Sequence, residues 1–373
     1  MTDNNIIFRS YYSWWKNIDK TILFLILSLF FLGLFFSLVS TSLIASDKLN
    51  TNSYYFFIKH TVFICLAVAL LIFFSLLEQN KLFKISFILF VFFFITLILV
   101  HFIGIEVKGS RRWMEIGVLP RFQPIEFLKP FFIIMTASLL STEDKKNIYF
   151  KYFLSFLLLV PVIFFLISQP DLGQTLLIVL TWLSLVFISG INLFIFYSFF
   201  VFIAVTISYL IFFVPKFEYI QIRLINFLNP NTNSDYQSEK ASEAIINGGF
   251  FGQGIGEGSL NSRIPEAHTD YIVSVVSEEF GVVVVIAIML VFLILSYQII
   301  KKINFLKEDK AKLILLGCVT ILLLQAFIHI GVNIRILPTT GMTLPFLSYG
   351  GSSIVSTGIL SGILLNLTKR KIN

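Results

Sequence analysis

An all-α polytopic membrane protein is the fold this 373-residue sequence predicts, on three observations. Of its residues, 57% are hydrophobic and only 13% charged, with a mean hydropathy of +0.89; soluble domains carry about 25% charged residues. The charges are clustered, and the apolar runs between them approach the ~20 residues that a helix needs to cross the hydrocarbon. Those runs lack strict alternation, which argues against an outer-membrane barrel.

Residues 1–20 read as a cytoplasmic N-terminal segment, with Arg9, Lys16 and Lys20 as an anchor and Trp14 and Trp15 at the interface. No cleavable signal peptide is expected, because no small-residue cleavage site follows this polar and aromatic stretch. Ten spans are expected: Thr21–Ala45, Tyr54–Leu77, Leu82–Ile105, Ile125–Leu140, Phe153–Ser168, Gln174–Ser189, Leu193–Val214, Tyr271–Tyr297, Leu313–Ile336 and Ser352–Leu367. An even number places both termini on one side. With the N-terminus inside, the inner segments carry Lys81, Lys84, Lys145, Lys146, Lys151, Lys301, Lys302, Lys307, Lys310 and Lys312. The tail 368–373 adds Lys369, Arg370 and Lys371. Together with the N-terminal cations this is more than half of the 28 basic residues, so both termini are expected in the cytoplasm. Cys65 and Cys318 fall inside apolar spans and read as small core hydrophobes, not a disulfide or metal pair. The 44 Phe residues read as a lipid-facing bias.

Several outer cations work against that charge bias. Lys108, Arg111, Arg112 and Arg121 crowd into KGSRRWMEIGVLPRFQP, and Arg223, Arg263 and Arg335 lie in other outer segments. They are either solvated loop charges or a grip for a phosphate-bearing ligand, since guanidinium forks bind phosphate oxygens bidentately. Between spans seven and eight lies one long extracytoplasmic loop, residues 215–270, too long for a plain connector. It holds an amphipathic piece suited to the interface, FEYIQIRLINFLNP, and a glycine-rich run, INGGFFGQGIGEGSLNS. The run fits neither a Rossmann nor a P-loop frame. It suits tight turns near a substrate backbone.

The polar groups closest to chemistry lie in Pro265–Gly281, PEAHTDYIVSVVSEEFG. A carboxylate in a bilayer costs roughly 2.5–3.5 kcal/mol on insertion scales, so Glu266, His268, Asp270, Glu278 and Glu279 need partners or a wet cavity. Asp270 reads as a general base or as a helix N-cap. His268 either orients Asp270 or is solvated. Glu278 and Glu279, deeper in the helix, either partner buried cations or organise the helix. Glu126 and Lys129, three apart, read as an intramembrane ion pair. Trp113 is an interface anchor or a stacking surface for a sugar. Ser348, Tyr349, Gly350 and Gly351 form a polar break expected to line a substrate cavity. Asp171 either binds a divalent cation with Asp270 or caps a helix.

Four segments in order carry a more specific signal: KGSRRWMEIG with QPIEFLK, QPDLGQT, the stretch around HTD with its upstream INGGFFGQGIGEG, and GVNIRILPTTGMTLPFLSYGGSS. On these the chain resembles the SEDS family (shape, elongation, division and sporulation proteins) over nearly its whole length, 1–373, as a single transmembrane domain. The double arginine of GSRRW and the wording of PTTGMTLPFLSYGG are closer to the division branch than to the elongation branch, which is the subfamily alternative. Ile125, His329 and Arg335 depart from the usual serine, asparagine and glycine.

The resemblance implies a peptidoglycan glycosyltransferase that polymerises lipid II at the outer face of the bacterial inner membrane, at the division septum. It further implies a class B penicillin-binding protein transpeptidase and other divisome membrane proteins as partners, and no nucleic acid. Asp270 stands at the family's catalytic HTD position. The chemistry agrees: glycosyl transfer from a polyprenyl diphosphate needs a base, cations for the departing diphosphate, and a groove for lipid tails. Asp270 offers the first, and Lys108, Arg111 and Arg112 the second. A divalent cation, Mg or Mn, is a possible cofactor. The rival readings are a lipid II flippase or transporter, and a non-enzymatic scaffold recruiting the septal transpeptidase. No inverted repeat is visible, and the charges crowd the outer face and not the midplane, which favours the enzyme.

Overall fold

The computed structural model describes residues 12–49, 54–107, 110–117, 120–142, 149–228, 236–260 and 263–369; for 41–49, 216 and 219 only the backbone is described. The helices are α1 (Lys20–Leu49), α2 (Tyr55–Leu76), α3 (Gln79–Ile103), α4 (Pro124–Leu140), α5 (Phe150–Ser168), α6 (Leu172–Ile188), α7 (Leu193–Phe213), α8 (Glu218–Leu228), α9 (Tyr236–Gly248), α10 (Ile272–Phe280), α11 (Val282–Ile303), α12 (Asp309–Asn333) and α13 (Gly351–Leu367). Helix stands at each span expected from the sequence. Seven of these helices are long and apolar enough to cross a membrane. The helices α4, α6 and α13 have 17 residues each, about 26 Å at the α-helical rise. The molecule is a membrane protein.

Burial sorts the helices into centre and rim. Every residue of α13 from Ser352 to Leu367 is buried, and most of α4 and α12 is too. By contrast, Ile203 is the one buried residue of α7, which stands at the rim. Small residues let α13 lie against α2: a Cβ on Gly358 would stand 2.4 Å from the Ala67 carbonyl oxygen. The loop 338–350 ahead of α13 is wedged into the bundle. Phe346 packs edge-on against Phe30 of α1 at 5.0 Å between ring centroids, and against Phe292 of α11 at 5.9 Å.

The ends of the bundle are tied separately. At one end Trp14 donates to Ser75 Oγ (2.9 Å), Asn366 donates to the Leu77 carbonyl (2.6 Å), and Lys302 pairs with Asp19 at 2.6 Å. Residues near both termini therefore meet at this end. The other end carries the long loop, a hairpin and the stretch around Asp270.

Two features differ from the sequence reading. The eighth span is not one helix: α10 ends at Phe280, and Gly281 turns the chain at φ +85° before α11 begins. The glycine-rich run docks into this break, with Val282 N donating to Gly249 O at 3.0 Å and Val283 N to Phe250 O at 3.3 Å. A Cβ on Gly281 would lie 2.1 Å from Phe250 O, so only glycine fits. Phe280 and the valines from Val282 onward flank Gly281 with apolar side chains, which hides the break from hydropathy. The arginine-rich loop also forms strands, β1 (Ile105–Val107) and β2 (Ser110–Trp113), paired antiparallel with Glu106 opposite Arg111.

Candidate active site

Asp270 lies half-buried in a run of turns that leads into α10. Its amide donates to Glu266 O at 3.1 Å, and Asn333 Nδ2 donates to its carbonyl at 3.2 Å. Asn333 Oδ1 accepts from both the amide and the hydroxyl of Ser274 (3.2 and 2.7 Å), so one amide side chain fastens the start of α10 to the end of α12. The N-cap of α10 is Tyr271, one residue past Asp270, and no side-chain capping bond forms there. Against the carboxylate runs the loop 338–343: a Cβ on Gly341 would stand 3.4 Å from Asp270 Oδ2.

His268 is partly buried, in a cluster of rings. Its ring packs against Phe56 at 5.1 Å and Tyr349 at 5.5 Å, and its carbonyl accepts from Tyr349 N at 2.9 Å. His60 of α2, fully buried, closes the cluster 5.6 Å from Tyr349. Burial holds the His268 imidazole below its ordinary value, with Glu266 pulling the other way. Of the expected polar break, Tyr349 and Gly350 are partly exposed, but Ser348 is fully buried and its Oγ accepts from Leu344 N at 2.8 Å. Ser348 therefore closes a turn.

The hairpin joins the site through Arg112. Its Nε donates to Gln169 O at 3.0 Å, another guanidinium nitrogen to Pro170 O, and Nη1 lies 3.7 Å from Asp171 Oδ1. Arg112 is thus committed to the segment 169–171 and is not a free diphosphate clamp. Arg111 stays at the surface in a 3.4 Å contact with Glu106, and Arg121 pairs with Glu115 at 3.1 Å. Lys108 lies outside the described residues. Trp113 is half-buried at the base of the hairpin, opposite Ile105.

Asp171 caps α6: Oδ1 accepts from Gln174 N at 3.3 Å, and Oδ2 accepts from Gln123 Nε2 at 2.8 Å. Burial pushes its carboxyl above the usual range, and the Arg112 guanidinium pulls it back. Its oxygens are occupied and its charge is met by Arg112, so the expected cation site with Asp270 does not fit. Among the described residues no group of three His, Cys, Asp or Glu side chains could hold a metal ion.

Below Asp171 runs a buried polar chain. Gln174 Nε2 donates to Glu126 Oε1 at 2.5 Å, and Glu126 Oε2 meets Lys129 Nζ at 2.8 Å. Lys129 donates to Gln325 Oε1 at 3.1 Å, Gln325 Nε2 donates to Thr343 O at 3.0 Å, and Thr343 Oγ1 donates to Ser353 Oγ at 2.7 Å. His329 Nδ1 donates to Met342 O at 2.7 Å, a second hold on the same loop. Gly173 of α6 abuts this loop as well, since a Cβ there would stand 2.8 Å from Met342 Cγ. Hairpin, segment 169–171, α6, loop 338–343 and Asp270 thus form one contiguous body. Arg335 takes φ +57°, the left-handed conformation that suits the glycine usual at this position.

Glu278 and Glu279 hold the glycine-rich run. Glu278 Oε1 accepts from Asn247 Nδ2 at 3.1 Å and Leu260 N at 2.9 Å, and Glu279 Oε2 accepts from Gly256 N. They organise the break of the eighth span through loop amides. The sequence reading missed Gln123, Gln174, Gln325 and Asn333; for Gln325 and Asn333 an amide side chain inside an apolar run was the available signal.

The family model for FtsW, RodA and SpoVE, described as cell cycle protein, matches residues 20–373. A probable peptidoglycan glycosyltransferase FtsW of Coxiella burnetii is 34% identical, covering 96% of this chain and 98% of its own. One from Idiomarina loihiensis is 32% identical over 94% of this chain and 86% of its own. Among solved structures, a chain from work on the structural coordination of polymerization and crosslinking by a peptidoglycan synthase complex superposes with a TM-score of 0.77. It is 25% identical, with 94% of this chain and 97% of that one covered. The rod shape determining protein RodA of Thermus thermophilus shares the fold, with a TM-score of 0.65, 23% identity and coverage of 94% and 96%. With its motifs held in one body and the match running from residue 20 to the last, the chain belongs to the FtsW/RodA/SpoVE family of cell cycle proteins.

Proposed function

We propose that the chain is a peptidoglycan glycosyltransferase that polymerises lipid II. The observation that carries this reading is the half-buried Asp270 carboxylate, set against the Gly341 loop at the end of the bundle where the hairpin also sits. Asp270 takes the proton from the acceptor's sugar hydroxyl as that oxygen bonds to the donor's anomeric carbon. The bond from that carbon to the diphosphate oxygen breaks, and its electron pair leaves with the polyprenyl diphosphate. Arg111 is the hairpin cation left to meet the departing charge, because its surface contact with Glu106 is readily exchanged. Arg112 and Asp171 hold the hairpin in place, and Lys129 with Gln325 holds the loop behind Asp270.

The names of the relatives and the peptidoglycan synthase complex from which a similar chain was solved support this reading over a flippase or scaffold. The distribution of Lys and Arg supports cytoplasmic termini and a site on the outer face of the bacterial inner membrane. A class B penicillin-binding protein transpeptidase at the division septum is the partner, with other division membrane proteins around it. Purified protein mixed with such a transpeptidase and labelled lipid II should yield a ladder of glycan polymer on a gel. Absence of polymer, with lipid II carried across vesicle membranes instead, would replace the enzyme by a transporter.

A further inference from the structure

The tip of the glycine-rich run is apolar and bare. Phe250 is 74% exposed and Phe251 86%, with Ile246 and Ile255 also exposed beside them. This tip is not a loose end. Its backbone is bonded to Val282 and Val283, the first residues of α11, and Gln253 N and Gly254 N donate to Glu278 O and Glu279 O at 2.8 and 3.1 Å. Gly249, Gly252, Gly254 and Gly256 all have positive φ, so the chain can hug the break in the eighth span while both phenyl rings stand outward.

The height of this tip follows from α11. That helix has 22 residues, about 33 Å in length, with Lys301 and Lys302 at its far end, so its apolar stretch fills the ~30 Å hydrocarbon layer. Its first turn therefore lies at the membrane surface, and the phenylalanines bonded to that turn lie there too. Below them the exposed side of α11 continues as Val283, Ile286, Leu290 and Leu293, an apolar stripe without a break. Aromatic rings are favoured at this depth.

We propose that Phe250 and Phe251 insert into the boundary between headgroups and acyl chains, on the leaflet that faces the active site. The occupant of this patch is lipid. The inserted rings fix the Gly281 break at the bilayer surface and, through Glu278 and Glu279, set the depth of α10 and of the Asp270 carboxylate ahead of it.

Nitroxide labels read the depth directly. In the full chain with Cys65→Ala and Cys318→Ala, single labels are placed at Phe250→Cys and Phe251→Cys, and the protein is reconstituted into phosphatidylcholine–phosphatidylglycerol vesicles. Labels at Ile286→Cys and Glu257→Cys, both exposed positions, give the lipid and water references. Collisions with oxygen relative to a water-soluble nickel chelate should be several-fold higher at 250 and 251 than at 257, approaching the ratio at 286. Ratios matching that at 257 would overturn the proposal. So would labels shielded from both reagents, which would assign the patch to a protein contact.

Discussion

The ammonium of Lys129 lies 2.8 Å from Oε2 of Glu126, and neither side chain is more than 5% exposed. Two charges at this depth are tolerable only together, because each alone keeps its desolvation cost and loses its partner. Gln325 supplies a further acceptor to the ammonium, and Gln174 a donor to the carboxylate. Losing Lys129 should therefore cost about 3–5 kcal/mol. Lys129→Ala is expected to lower the yield of folded protein and its unfolding temperature on size-exclusion and thermal assays. The double change Glu126→Gln with Lys129→Met should recover both. A Lys129→Ala protein that is fully stable would show that the pair is not structural.

The two hairpin arginines should separate in behaviour. Arg112→Ala leaves Asp171 buried without its cation and the carbonyls of 169–170 without their donor, so stability should fall by about 1–3 kcal/mol. Lysine at that position restores charge but not the fork. Arg111→Ala removes only an exposed contact, so the protein should stay stable while its use of lipid II falls. Thermal unfolding and polymerisation measured on the same preparations decide this. Equal activity loss at unchanged stability in both would return Arg112 to the ligand.

How much of this was legible beforehand differs from residue to residue. The spans were readable because a helix in lipid must be apolar along its length. Glu126 and Lys129 were readable because their i,i+3 spacing puts both on one helical face. The partners of Arg112 were not, since they come from a segment 57 and 58 residues away. The break at Gly281 was hidden for a similar reason: it depends on the carbonyl of Phe250, in a loop far from it in sequence. Asp171 shows the remaining gap. Its sequence position fits a cap and a metal ligand equally, and only Gln123, Gln174 and Arg112 together decide between them.

His268 should make stability pH-dependent. The groups that face it are His60 from α2, Tyr349 from the loop before α13, and Glu266 on its own turn. Because burial lowers its folded value below 6.5, the unfolded chain takes up a proton that the folded cluster refuses. The contribution to stability is complete above 6.5 and shrinks as pH falls from there towards the folded value. Thermal unfolding of the wild type should weaken on acidification through this window, and His268→Gln should flatten that part of the slope. An unchanged slope would remove His268 as its source.

Asp270 is the residue on which the catalytic reading stands. Its backbone is fixed from two sides, by Glu266 O and by Asn333 Nδ2, so a change at the carboxylate need not disturb the entry to α10. Asparagine caps a helix N-terminus as well as aspartate does, so Asp270→Asn leaves the entry to α10 intact even where the side chain meets its amides. Asparagine keeps the size and one oxygen beside Gly341 but cannot accept the proton of an attacking hydroxyl at neutral pH. General-base catalysis contributes typically about 10²–10⁴-fold, and a loss of that size takes polymer below detection on a gel. Asp270→Asn is therefore expected to fold and unfold like the wild type, to bind its transpeptidase, and to make no visible glycan. Asp270→Glu, which restores a carboxylate one methylene further out, should recover part of the activity. Normal polymerisation by Asp270→Asn, alongside loss of folded protein in Asp270→Ala, would move the base elsewhere and leave this side chain a purely structural one.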